Sequence, residues 1–108
     1  MYEIRYKNIV IGLTELDRAD PPMGFVHGAV NVNDKYDKNK KEILKNSIYL
    51  TVHELDKNNS LEVEAITIED FSEKLGEEVV EVTVLMKTSE DFEKQFKKHS
   101  DAYEKQFN

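Results

Sequence analysis

Alternation opens the chain. Tyr2, Ile4 and Tyr6 are separated by Glu3 and Arg5, the period-two pattern of a strand with one buried face. Lys7-Asn8 then offers a two-residue turn, with Asn tolerant of the left-handed backbone region, and residues 9–13 supply a returning strand. The chain is therefore expected to open with a β-hairpin. A third strand is expected over Phe25–Val32, with Gly28 marking a bulge or a close backbone approach. Residues 33–46, NDKYDKNKKEILKN, are polar enough to read as a loop with a short helix near 41–45. Residues 47–53 alternate again, Ile48, Leu50 and Val52 against Tyr49, Thr51 and His53, as a strand would.

DKNNS at 56–60 is turn chemistry. Beyond it Leu61, Val63 and Ala65 occupy one face of a strand, and Glu62 and Glu64 the other. Thr67 reads as a helix cap with Asp70 reaching back to it as in a capping box. Ile68, Phe71 and Leu75 would share one face of that helix, and Gly76 would stop it in the left-handed region. Residues 79–86 are the most β-branched run and are expected as a central strand. Ser89 reads as the cap of a C-terminal helix with Phe92, Phe96, His99, Tyr103 and Phe107 on one stripe. The pattern predicts an α+β fold. Its parts are an antiparallel-rich sheet of about five or six strands, the opening hairpin, one short helix, and a C-terminal amphipathic helix on one face. The strand–helix–strand order from Leu61 to Met86 leaves parallel and antiparallel pairing both open, because the connection is near the shortest that permits a crossover.

Length and composition narrow the classes. The 108 residues suit a single domain, 1–108, with one modest core. The absence of cysteine removes disulfides, thiolate nucleophiles and zinc–thiolate sites. The longest early apolar run, residues 9–13, is too short for a signal segment or a membrane span. A cytoplasmic protein without membrane contact is expected.

The net charge of −7 is unevenly placed: residues 54–93 hold thirteen acids against three lysines. Lys35, Lys38, Lys40, Lys41 and Lys45 form a separate basic stretch. An acidic field repels phosphate backbones and anionic lipid and draws in basic partners, so nucleic acid is not the expected direct ligand. The acids singled out for contact with such a partner are Asp17, Asp20, Glu62, Glu64, Glu69, Asp70, Glu73, Glu77, Glu78 and Glu81. If the two acidic strands are neighbours, facing carboxylates would cost some tenths of a kcal/mol per pair, which a partner's arginines and lysines would relieve.

Residues 16–30, LDRADPPMGFVHGAV, are the densest in unusual residues. As metal ligands, Asp17, Asp20 and His27 match no calcium loop, and one histidine without cysteine makes a poor zinc site. Pro21 restricts Asp20 to an extended backbone and Pro22 does the same to Pro21, while Gly24 frees the entry to the next strand; a structural turn explains the same residues. A rigid, acid-flanked contact surface is the third reading of this loop. His27, His53 and His99 form no constellation, no G-x-S-x-G elbow exists, and no Gly-rich phosphate loop is present. Catalysis, metal and cofactor are not expected.

The order IGLTELDRADPPMGFVHGAV, following an opening hairpin, resembles small bacterial immunity proteins of polymorphic toxin and contact-dependent growth inhibition systems. The likeness covers roughly the first third of the chain, and such proteins vary so widely that it assigns no site residues. It implies a role: binding a cognate toxin domain and blocking its active site, with a basic nuclease as the toxin suited to an acidic inhibitor. The alternative is a small acidic regulatory or assembly module that binds a basic segment of another protein.

Overall fold

Lys7 and Asn8 both adopt positive φ, 48° and 67°, the mirror-image turn whose twist suits a two-residue hairpin. In the computed structural model, which describes residues 1–57 and 59–106, this turn joins β1 (Tyr2–Tyr6) to β2 (Ile9–Thr14). The expected hairpin is present. The third strand, β4 (Phe25–Val32), runs over the expected residues, and a three-residue strand, β3 (Arg18–Asp20), precedes it. β2 and β3 pair with successive parts of β4, Thr14 opposite Val30 and Arg18 opposite His27.

Between those two pairings the chain folds in over Gly28. A Cβ at that position would stand 3.0 Å from Asp17 Oδ1 and 3.1 Å from both Leu16 N and Thr14 Oγ1. Close backbone approach is therefore what the glycine serves, and the irregularity lies in the facing chain, where buried Leu16 takes φ 49°. Pro21–Met23 forms one 3₁₀ turn that ends on Gly24 at φ 76°, whose N–H donates to Pro21 O. The proline loop is thus a turn that delivers the chain into β4.

Two segments differ from expectation in the middle of the chain. Residues expected to be mostly loop form a full helix, α1 (Asp34–Lys45), capped by Asn33 Oδ1 accepting from the Lys35 and Tyr36 N–H groups. Its buried face is narrow, Tyr36 and Ile43, so the apolar signal is weak. The strand expected over 47–53 begins late. Ser47–Tyr49 is a 3₁₀ turn that leaves Ile48 85% exposed, and β5 covers Leu50–Glu54.

β6 (Val63–Asp70) extends through the residues expected to start a helix. A register irregularity between Val63 and Ala65 reverses the phase, so Ala65 is exposed and Ile66 and Ile68 turn inward. Only α2 (Ser72–Leu75) remains of that helix, stopped as expected by Gly76 at φ 71°. β7 (Val80–Met86) follows and pairs antiparallel with both β4 and β6, which settles the open topology.

The fold is α+β, with sheet order β5-β1-β2-β4-β7-β6 and β3 beside β4. The sheet curls until its ends meet: His53 bridges Ser60, and Leu61 N–H donates to Val52 O at 2.8 Å. Its concave side carries Ile4, Ile11, Val26, Val52, Val82 and Val84, each fully buried. Tyr36 and Ile43 close this core near Asp70, and the C-terminal segment closes it at the opposite end. That segment is two helices, α3 (Ser89–Gln95) and α4 (Lys97–Lys105), because Phe96 leaves helical geometry at φ −124°, ψ 43°. Thr88, not Ser89, is the cap, accepting from the Asp91 N–H. Phe92 and Phe96 are buried, their rings 5.7 Å apart, while His99 Nε2 meets Leu16 O at 2.9 Å. Phe107, the last residue of the expected stripe, lies outside the described residues.

Candidate protein-binding surface

Antiparallel pairing of β6 with β7 makes the short connection between them, residues 71–79, the end of the sheet. Five of the ten singled-out acids flank or form this end with exposed or half-exposed side chains: Glu69, Glu73, Glu77, Glu78 and Glu81. Asp70, a sixth, is turned inward and anchors the connection. Its side chain is 5% exposed. It accepts from Tyr36 Oη at 2.5 Å, Ser72 N at 2.8 Å and Lys40 Nζ at 3.1 Å. Burial alone would raise this carboxyl, but donation from Ser72, Tyr36 and Lys40 holds it well below the usual carboxylate range. The same contact, added to burial, pushes the Tyr36 phenol above its ordinary value.

An open pocket of about 430 Å³ lies over this anchor, walled by α1 and the β6–β7 connection. Asp37, Asp70, Glu73, Glu77 and Glu78 bring five carboxylates to it against one lysine, Lys40, which is spent on Asp70. Among the described residues none of Asp37, Glu69, Glu73, Glu77 and Glu78 is in an ion pair. Leu75, in the same connection, is 59% exposed. This end of the sheet thus sets uncompensated negative charge beside an exposed apolar side chain, a combination chemically complementary to cationic and apolar groups together.

The remaining singled-out acids lie elsewhere. Glu62 and Glu64 flank Val63, which pairs with Met86 at the far end of β7, and Glu62 is bound to Lys87 at 3.1 Å. Asp20 pairs with Phe25, again toward that far end, and Asp17 lies against Gly28. The two acidic strands, β6 and β7, are neighbours, but Glu62 and Glu64 do not face Glu81. Glu81 instead stands opposite Glu69, and the Arg18 guanidinium, reaching over from β3, binds it. Like charge across a strand pair is thereby relieved within the chain.

Sequence reasoning missed Tyr36, Lys40 and Ser72. The Asn33 cap and the acids Asp34 and Asp37 in the first turn of α1 were signals that could have placed Tyr36 on a buried helical face.

Among the described residues no group of three or more histidines and carboxylates is arranged to hold a metal ion, and no helix is long and apolar enough to cross a membrane. Compared with family models, curated proteins and solved structures, the chain matches none.

Proposed function

We propose that this chain is a non-catalytic immunity protein: it binds a cognate toxin domain, a basic nuclease, and blocks its active site with the acidic end of its sheet. The observation that carries the reading is the uncompensated charge around the 430 Å³ pocket. A nuclease cleft is built to hold a phosphate chain, so its lysines and arginines are complementary to a surface that presents carboxylates at similar density. The likeness of residues 11–30 to immunity proteins supports the same role. In this reading Leu75 fills an apolar spot within the charged contact, and the protein works in the cytoplasm, where a nuclease would meet nucleic acid.

The test is protection. The product of the reading frame beside this gene is tested as the toxin: its C-terminal domain is expressed in a sensitive host with and without the chain, and complex formation is measured by calorimetry. Rescue of growth with one-to-one binding is expected. Growth arrest unchanged by the chain, with no heat of binding, would overturn the proposal.

A further inference from the structure

The end of the molecule that α1 closes carries both signs of charge side by side. Lys38, Lys41 and Lys45 follow one another at helical spacing, on the side of α1 opposite buried Tyr36 and Ile43. All three are exposed, and among the described residues none is in an ion pair. Next to them is the β6–β7 connection with exposed, unpaired Glu73, Glu77 and Glu78. α1 and this connection are the two walls of the pocket of about 430 Å³. Lys40 alone crosses between them, to buried Asp70.

Exposed apolar side chains gather at the same end. Of the eight large apolar residues exposed among the described ones, five belong here: Ile9, Leu44, Ile48, Tyr49 and Leu75. Ile9 pairs with Tyr6, whose hydroxyl reaches Glu42 of α1, and Tyr49 O accepts from the Lys7 N–H. Leu44 lies two turns beyond Asp37, on the flank of α1 that walls the pocket. Apolar side chains exposed singly need no explanation, but a group of them rimmed by charge marks a contact surface.

A basic partner answers only the acidic half of this surface. A partner for the whole of it carries both signs side by side around apolar groups, and the same face of a second copy does so. A two-fold axis through the face exchanges its halves, setting each against its opposite. We propose that the chain forms a two-fold dimer through this end. Lys38, Lys41 and Lys45 of one copy meet Glu73, Glu77 and Glu78 of the other, with Leu44, Ile48 and Leu75 enclosed between them. The net charge of −7 on each copy opposes association in general, and the pairing at this face offsets it locally. The toxin contact proposed above uses the same three acids, so the dimer and the toxin complex exclude each other.

Sedimentation equilibrium of the full chain alone tests the dimer, and a dimer mass that grows in with concentration is expected. Glu73→Lys, Glu77→Lys and Glu78→Lys together should weaken self-association at least about tenfold, as should Lys38→Glu, Lys41→Glu and Lys45→Glu together. Reversing the acids brings the net charge close to zero, so tighter association of that variant would show bulk repulsion at work and overturn the proposal. Mixed in equal amounts, the two variants should dimerise again, because every reversed residue then meets a reversed partner. A native chain that stays monomeric up to about 1 mM overturns the dimer. Association undiminished by either reversal overturns its placement, and larger assemblies, or a mixture that fails to pair, overturn the two-fold arrangement. A monomer would leave the protection experiment untouched, and failure of protection would leave the dimer standing.

Discussion

The Tyr36 hydroxyl donates to the Asp70 carboxylate at 2.5 Å and so ties α1 to the last residue of β6. Removing the donor leaves a buried carboxylate short of one partner. Tyr36→Phe should cost about 1–3 kcal/mol in urea melts; a loss within error would mean that Lys40 and Ser72 suffice.

Asp70 also sets an acid dependence. Its folded pKa is depressed by Ser72, Tyr36 and Lys40 acting against burial, so its contribution is complete above the unfolded carboxylate value, about 4. The contribution is lost as pH falls below that value toward the folded pKa. The stability difference between the native chain and Asp70→Asn should be constant from neutral pH down to about 5 and narrow below about 4. Denaturant melts across pH check this, and a difference that widens in acid would refute it.

Phe96 is 5% exposed and contacts the Tyr2 ring at 5.6 Å between centroids. Phe96→Ala should cost about 3–5 kcal/mol. A loss below about one kilocalorie would mean that the C-terminal helices contribute little to the core.

Gly28→Ala and Gly76→Ala separate two uses of glycine. At Gly28 the new methyl group would press on Asp17, Leu16 and Thr14, and about 1–3 kcal/mol of overpacking is expected. Gly76 has open space but φ 71°, so about 1 kcal/mol from backbone conformation alone should appear there. Equal losses would show that the crowding at Gly28 relaxes freely. Divalent cations should leave the melting temperature of the native chain where an ionic-strength control puts it. A chelator-reversed rise that vanishes in Asp20→Ala would restore a metal role to the proline loop.

For the proposed toxin contact, reversing Glu73, Glu77 and Glu78 to lysine should slow association far more than reversing Glu90, Glu93 and Glu104. Both sets change net charge equally, so stopped-flow rates over a salt series isolate the local surface from the overall field. Equal slowing would leave the acidic end without a special part in the encounter.

The elements visible in the sequence are those whose side-chain period survives or whose turn is defined. β1 and β4 keep their alternation, while β2, whose period breaks where Ile11 is passed over in the pairing with β1, follows from Lys7-Asn8, which folds as its residue types require. β6 was obscured because the irregularity after Val63 moves inward residues from odd to even positions. Ile68 then seemed to begin a helical stripe when it continues a strand with Ile66. α1 was hidden by composition: two buried side chains in twelve residues are too few to mark a face. Of the acidic surface, the residues were legible and their grouping was not. Which acids meet depends on the antiparallel register of β6 and β7, and that register parts Glu62 and Glu64 from Glu81.

The two ends of β7 differ in how their charge is balanced. Val80 leaves an end where carboxylates gather without ion-pair partners, and beyond Met86 the chain enters α3 and α4, where acids and lysines are mixed and exposed Lys94, Lys97 and Lys98 line one cavity with Glu15 and His99. Seven strand residues hold the two regions roughly 20 Å apart. Such an asymmetry sets the centre of negative charge to one side of the molecule, so the field of a cationic surface exerts a torque as well as a pull. The protein would arrive with its unpaired carboxylates leading, having found its orientation before it makes contact.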